Sequence, residues 1–124
     1  DEAAARAHLA THPQAIAQLT PHELRLLPDQ AQRGRVGAVK LMLELGWPVA
    51  VKGDWDASAL NQAAFRGDAA MVRLLLAHGS RWDEPNGFGG DAMGSCRFAQ
   101  HNQPQPAGDY DTVAALLMAA GAPA

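Results

Sequence analysis

The stretch Gly34-Arg-Val-Gly-Ala-Val-Lys-Leu-Met-Leu-Glu-Leu-Gly46 returns 33 positions later as Gly67-Asp-Ala-Ala-Met-Val-Arg-Leu-Leu-Leu-Ala-His-Gly79. Glycines bound both copies, Val39 falls on Val72, and the leucines near the end of each copy coincide. The same interval separates three apolar residues that lie upstream in their units: Leu27, Leu60 and Met93. An interval shared by several residue types indicates an internal repeat, whose units hide their apolar faces by stacking on their neighbours.

The unit around residues 58–79 is predicted to form two short helices. Ser58 can accept a hydrogen bond from a free backbone N–H and so begin the first helix. Gly67 ends that helix, because glycine adopts the left-handed conformation without steric cost. The second helix is predicted over residues 68–78. Its apolar stripe faces the core and consists of Met71, Val72, Leu75 and Leu76.

Two weaker copies of the second helix lie at the ends of the chain. The copy at 109–121 follows its predecessor by 42 positions, so that unit carries about nine extra residues, and the insert is placed at 101–107. The copy at 1–12 lacks a partner helix. It is interpreted as a half-repeat whose other half lies upstream or, alternatively, as an improvised cap. A single domain over 1–124 is therefore divided into a half-repeat or cap and three repeats: 1–20, 21–53, 54–86 and 87–124.

Two proline positions shape the start of the first full repeat. Thr20-Pro21-His22-Glu23 is a capping box with proline at the first helical position, which predicts a short helix there. Pro28 lacks a backbone N–H and is expected to break any helix that continues from Glu23.

The segment Ser58-Ala-Leu-Asn-Gln-Ala-Ala-Phe-Arg-Gly67 resembles the first helix of an ankyrin repeat, and the segment 67–79 resembles the second. The resemblance implies an all-α solenoid of helix-turn-helix units joined by finger loops. It also implies a protein–protein interaction module rather than an enzyme. Asn61 stands where the family places histidine, and this departure is expected to weaken the hydrogen bonds between repeats. Trp47 and Trp82 follow helix-ending glycines, where the family has an apolar residue, and are interpreted as core.

Composition narrows the classes of function. The 124 residues carry ten Lys and Arg against thirteen Asp and Glu, a net charge of −3, which supplies no excess of cations for nucleic acid. No uncharged apolar run approaches the ~18 residues of a membrane span, and no signal peptide is visible. A single cysteine excludes an internal disulfide. The sequence therefore predicts a cytoplasmic domain that binds neither nucleic acid nor membrane.

Three features suggest chemistry, and each has a simpler structural explanation. Cys96 and His101 resemble a nucleophile with its base, but no acidic group is placed to orient the histidine. His8 and His12 have metal-ligand spacing without a third ligand. Gly87-Phe-Gly-Gly90 is rich in glycine but lacks the strand and Lys-Ser/Thr of a phosphate loop. We therefore predict no catalytic residue, no metal site and no cofactor.

The ankyrin resemblance implies a partner-binding surface at the fingers and at the ends of the first helices. An aromatic strip of Trp55, Phe65, Phe88 and Phe98 is expected there, flanked by Arg33, Lys52 and Arg66, with Trp55, Phe65 and Arg66 at the contact centre. The full predicted surface comprises Gln32, Arg33, Lys52, Asp54, Trp55, Phe65, Arg66, His78, Phe88 and Phe98. Two alternatives stay open. One is a small enzyme or ligand-binding fragment that uses Cys96, His101 and the 87–90 loop, and the other is a structural spacer or regulatory domain of a larger chain.

Overall fold

A computed structural model describes residues 19–123. Over that range the chain forms seven α-helices and no strand, with one isolated antiparallel bridge between Lys52 and Ser58. The helices are α1 (Pro21–Leu24), α2 (Leu26–Gln32), α3 (Val36–Glu44), α4 (Ala59–Arg66), α5 (Ala69–Ala77), α6 (Ala92–Asn102) and α7 (Tyr110–Ala119). The predicted helix at 1–12 and the pair His8 and His12 lie outside the described residues.

The helix ends follow the predicted signals. The Ser58 hydroxyl accepts from the N–H of Asn61 at 3.3 Å, and Gly67 ends α4 with a φ of 68°. The Asp68 carboxylate accepts from the N–H of Met71 at 3.1 Å. Asp68 is therefore the cap before α5 rather than its first residue, because its side chain takes the place of a missing backbone acceptor.

The first full unit begins with two consecutive short helices. The capping box at Thr20 and Glu23 is present in both directions, with hydrogen bonds of 3.0 and 3.1 Å. The helix that begins at Pro21 ends at Leu24, and α2 then starts at Leu26 with Pro28 buried in its first turn. The predicted interruption is confirmed. The helix resumes at once because a proline within the first turn removes no intrahelical hydrogen bond.

The core runs along the stack from one helix pair to the next. Helix α4 lies at its centre and contacts α2, α5 and α6. The three residues that share the 33-residue interval, Leu27, Leu60 and Met93, are all buried. Trp47 and Trp82 are partly buried and pack against this core, as predicted. The boundaries of the repeats at 21–53, 54–86 and 87–124 stay predictions.

Asn61 joins two successive units. Its amide nitrogen donates to the carbonyl oxygen of Glu84 at 3.0 Å, and its amide oxygen accepts from the hydroxyl of Ser95 at 3.0 Å. The bond to Ser95 crosses to the next unit, because an amide oxygen can accept a hydrogen bond; the expected weakening of the bonds between repeats stays a prediction.

The lengthened third unit is fastened to the second. Helix α6 continues through Asn102, so the first two residues of the predicted insert are helical and a loop follows. The Tyr110 hydroxyl donates to the carbonyl oxygen of Phe65 at 3.0 Å and accepts from the N–H of Gln105 at 3.0 Å. These bonds hold the loop against the end of α4.

Candidate partner-binding groove

A groove of about 500 Å³ opens between the loops that join the units and the first helix of each pair. We call the loop at 47–58 the first finger and the loop at 80–91 the second finger. The side chains that line the groove are aromatic, small or uncharged polar. They belong to Trp55, Ala57, Asn61, Gln62, Phe65, Asn86, Phe88, Gly90, Gly94, Ser95, Phe98 and Gln103.

The four aromatic residues of the predicted strip all line this groove. Trp55 and Phe88 lie 33 positions apart on successive fingers, and Phe65 and Phe98 lie 33 positions apart on α4 and α6. The ring centroids of Trp55 and Phe65 are 6.2 Å apart, and those of Phe65 and Phe98 are also 6.2 Å apart, with the latter pair stacked. Trp55, Phe88 and Phe98 are 55%, 83% and 53% exposed.

The tip of the first finger is a tight turn with left-handed residues. Trp55 has φ 60° and ψ 23°, and Asp56 has φ 53°. The N–H of Ala57 donates to the carbonyl oxygen of Asp54 at 3.1 Å across the turn. Two successive residues with positive φ are typical of a type I′ turn, which favours Asn-Gly because side chains other than those of Asn, Asp and Gly fit this conformation poorly. A tryptophan at this position is conformationally strained.

The glycine-rich stretch 87–90 makes hydrogen bonds through all of its backbone N–H groups. Gly87 donates to the carbonyl oxygen of Trp55 at 2.7 Å and so joins the two fingers. The next three N–H groups donate to Asn86, two to its Oδ1 at 2.8 and 3.1 Å and one to its carbonyl oxygen at 3.0 Å. A phosphate loop needs free N–H groups, so this stretch is not built to bind phosphate.

The charged residues of the predicted surface do not line the groove. Lys52 donates to the carbonyl oxygen of Pro85 at 2.9 Å, and Asp54 pairs with Arg25 at 3.0 Å. Arg66 donates to the carbonyl oxygen of Gln32 at 3.0 Å. Lys52 and Arg66 thus connect neighbouring units rather than flanking the aromatic strip.

The remaining predicted surface residues also lie outside the groove. Arg33 follows the end of α2 and is exposed, and Gln32 is half-buried at the end of that helix. His78 is exposed at the end of α5. The structure therefore brings the four aromatic residues together and leaves Gln32, Arg33 and His78 apart from them.

Cys96 is buried in the core and does not reach the groove. Its thiol lies 3.5 Å from the carbonyl oxygen of Tyr110. Burial raises the pKa of the Cys96 thiol, and this effect outweighs the opposing influence of Arg97. A nucleophilic cysteine needs a lowered pKa and solvent access, so the thiol lacks both requirements. Over residues 19–123, no cluster of three or more His, Cys, Asp or Glu side chains is arranged to hold a metal ion.

The polar residues of the groove were missed by the sequence reasoning. Gln62 and Ser95 lie 33 positions apart and both line it, so the repeat interval could have identified them. Asn86 precedes a glycine at the second finger, which is a turn signal. No sequence signal identifies Gln103, which reaches the groove because α6 is longer than α4.

The described helices form an all-α stack of helix pairs joined by fingers. The family described as ankyrin repeats, in many copies, matches residues 27–76, which contain most of α2, all of α3 and α4, and α5 through Leu76. Residues 27–76 are therefore identified as ankyrin repeats, and the predicted all-α ankyrin fold is confirmed. Ankyrin repeats are generally protein–protein interaction modules and are typically not enzymes.

A comparison with curated proteins found no match. None of the helices in the described part of the chain combines the length and apolar character of a membrane span.

Proposed function

We propose that this protein is an interaction module that binds a partner protein in the groove between the fingers and the first helices. The observation that carries the proposal is the row of aromatic side chains along that groove, three of which are more than half exposed. We place the contact centre at Trp55, Phe65 and Phe98. We exclude Arg66 from the contact centre, because its guanidinium donates a hydrogen bond to the carbonyl oxygen of Gln32.

The energetics of aromatic burial support this role. Each Å² of apolar surface removed from water contributes about 25 cal/mol, and aromatic side chains carry the largest areas. Residues of this type dominate the energy of protein interfaces because they bury a large area with little loss of rotamer freedom. In the free protein the exposed faces of Trp55 and Phe98 are hydrated, so a partner gains from covering them.

The backbone at Trp55 supports the same conclusion. A non-glycine residue in the left-handed conformation costs about 1–2 kcal/mol. A turn selected for stability alone favours Asn and Gly at these two positions. The left-handed backbone at Trp55 therefore lowers the stability of the fold, while its ring lies beside Phe65 in the groove. A strained residue at such a place is typical of one that is kept for binding.

The proposal is tested by replacing Trp55 with asparagine. Trp55→Asn removes the ring but suits the left-handed turn, so the unfolding temperature is expected to stay the same or rise. Partner binding is expected to weaken about tenfold or more, the loss of one hot-spot residue. Binding is measured with a photo-crosslinking amino acid at position 88, at the exposed tip of the second finger, and thermal unfolding is followed by circular dichroism.

A matched crosslinker at Ala115, on the exposed side of α7, provides the control. Adducts that form from position 88 and not from 115, and that decline in the Trp55→Asn background, support the proposal. Equal adducts from both positions, or adducts insensitive to Trp55→Asn, overturn it. A complete absence of adducts also overturns it and favours a structural spacer.

A further inference from the structure

The second finger carries an asparagine that is followed directly by a glycine, Asn86-Gly87. In such a pair the backbone nitrogen of the glycine can attack the side-chain amide carbon of the asparagine, because the glycine has no Cβ to obstruct the approach. Asn61 and Asn102 are each followed by glutamine, so this is the only Asn-Gly pair in the sequence. Asn86 is half-buried and Gly87 is exposed, so water reaches the pair.

We propose that Asn86 is a deamidation site, that the contact between the two fingers protects it, and that its reaction places a carboxylate in the groove. The Gly87 nitrogen loses its proton to solvent and forms a bond to the Asn86 Cγ. The bond from Cγ to Nδ2 breaks, and the leaving nitrogen takes a proton from solvent and departs as ammonia. Solvent water then opens the succinimide ring at either carbonyl group. The products are aspartate and isoaspartate, and nothing is oxidised or reduced.

Both reacting groups are held by hydrogen bonds. The Gly87 N–H donates to the carbonyl oxygen of Trp55 at 2.7 Å. The Asn86 Oδ1 accepts from two backbone N–H groups of its own finger at 2.8 and 3.1 Å, and the Nδ2 donates to the Ser95 hydroxyl at 3.3 Å. The attack deprotonates the Gly87 nitrogen and moves the Asn86 amide onto it, so the bonds to Trp55 and Ser95 have to open first.

Two further hydrogen bonds fix the part of the second finger that precedes Asn86. Lys52 of the first finger donates to the carbonyl oxygen of Pro85 at 2.9 Å, and Asn61 of α4 donates to that of Glu84 at 3.0 Å. Local opening of a native structure depends on the few contacts that hold the segment. The rate of deamidation is therefore expected to follow the fraction of molecules in which these contacts are open.

Ser95 couples the reaction to the stacking of the units. Its hydroxyl has one proton, which it donates to the Asn61 Oδ1 at 3.0 Å, and it accepts from the Asn86 Nδ2. A carboxylate at position 86 has no N–H to donate. Ser95 then either loses this hydrogen bond or turns its proton to the carboxylate and releases Asn61. Isoaspartate also lengthens the backbone by one atom, which displaces the Gly87 N–H from Trp55.

The same reaction changes the charge of the groove. Asn86 lines it, and the lining contains no charged side chain. Deamidation therefore introduces a carboxylate beside the aromatic rings, and a partner that covers these rings has to remove water from that charge. On the basis of the proposed function, deamidation of Asn86 is expected to weaken partner binding.

The protection is tested by mass spectrometry of the tryptic peptide 82–97 after incubation of the full chain in mildly alkaline buffer. The reference is the synthetic peptide of the same residues, which has the Asn-Gly pair without the contacts of the fold. Asn86 is expected to deamidate about tenfold more slowly in the folded chain than in the peptide, because reaction requires local opening.

Variants locate the cause of the protection. Lys52→Met removes the bond to Pro85 and leaves the Asn-Gly pair intact, so it is expected to speed deamidation about threefold. The matched control is Lys40→Met, at an exposed lysine of α3. Ser95→Ala, which releases the Asn86 Nδ2, is expected to act in the same direction and takes the place of Lys52→Met if that variant does not fold. Equal rates in the folded chain and the peptide, or no acceleration relative to Lys40→Met, overturn the inference.

Asn86→Asp carries one of the two products into the intact chain. Its unfolding temperature is expected to fall, and the crosslinking yield from position 88 is expected to fall about tenfold. Ala115→Asp adds the same charge on the exposed side of α7 and leaves the yield unchanged. Equal yields from the two variants overturn the effect of deamidation on the groove. If the parent protein itself forms no adduct, the proposed function is overturned, whereas the deamidation rates still decide whether the fingers protect Asn86.

Discussion

Gly87 lies at the point where the two fingers meet. Its N–H donates to the carbonyl oxygen of Trp55 at 2.7 Å, and a methyl group on its Cα would lie 2.8 Å from that same oxygen. Such a contact with backbone atoms is relieved only by moving one finger away from the other. Glycine is therefore required at position 87 because the backbones of the two fingers approach closely here, and not because its φ is unusual.

Gly87→Ala is expected to lower the unfolding temperature and to weaken partner binding together, because it separates the fingers and displaces Trp55. The matched control is Gly90→Ala in the same finger, where the added methyl group meets only ordinary contacts with Asn86 at 3.5 Å or more. Both variants are compared by thermal unfolding and by the crosslinking yield. Equal effects from the two substitutions would contradict the close approach as the cause.

The aromatic residues of the groove could be predicted one by one, whereas the charged ones could not. Trp55 and Phe98 fall at the finger and first-helix positions where the ankyrin resemblance implies partner binding. Whether Lys52 or Arg66 faces a groove depends on where the tip of a long side chain finds an acceptor. Both tips find a carbonyl group of the neighbouring unit, 33 or 34 positions away in sequence, which no local pattern reports.

At the scale of the element, helix α7 begins with a charged cap. The Asp109 carboxylate accepts from the hydroxyl of Thr112 at 2.7 Å and from its N–H at 3.2 Å. These two hydrogen bonds, the hydroxyl bond foremost, lower the pKa of Asp109 from its ordinary value. A carboxyl group whose pKa is lowered in the folded state stabilises the fold above its unfolded-state pKa. That contribution is lost as the pH falls through the folded-state pKa.

Asp109→Asn keeps a capping oxygen but removes the titration. At pH 6 the variant is expected to unfold at a lower temperature than the parent protein, and the difference is expected to shrink as the pH falls from about 5 to below the ordinary Asp pKa of about 3.9. Thr112→Val removes the hydroxyl and is expected to reduce the same pH dependence. A difference in unfolding temperature that is constant from pH 6 to pH 2.5 would contradict the assignment.

The elements differ in how well the sequence predicts them. The starts and ends of α4 and α5 are predicted to within one residue, because Ser58, Gly67 and Asp68 act through local hydrogen bonds and local backbone conformation. The turn of the first finger is not predicted. Its two left-handed residues are Trp55 and Asp56. The sequence therefore lacks the glycine from which such a turn is usually predicted.

At the scale of the molecule, the stack is joined by buried polar groups as well as by apolar contacts. Ser95 lies between Asn61 of the preceding unit and Asn86 of the second finger, at 3.0 and 3.3 Å. The sequence predicts the stacking from the 33-residue interval. It does not predict this network, because the partners of an asparagine are set by how closely two units approach.

Ser95→Ala leaves the buried amide oxygen of Asn61 without its donor and is expected to cost about 1–3 kcal/mol of unfolding free energy. The double variant Asn61→Ala with Ser95→Ala is expected to cost less than the sum of the two single variants. Urea unfolding measures all three. Ser80→Ala, at a half-buried serine, is the control. Additive costs, or a Ser95→Ala cost equal to that of Ser80→Ala, would contradict a network between units.

The hydrogen bond between the fingers has a consequence for how a partner is received. The Gly87 N–H of the second finger donates to the Trp55 carbonyl oxygen of the first finger. The width of the groove is therefore fixed before a partner binds. Little ordering of loops is then left to oppose association, and rigid recognition of this kind raises affinity by reducing that entropic cost. A partner of the proposed groove is therefore expected to be selected by its fit to a preformed shape, and not by closure of the fingers around it.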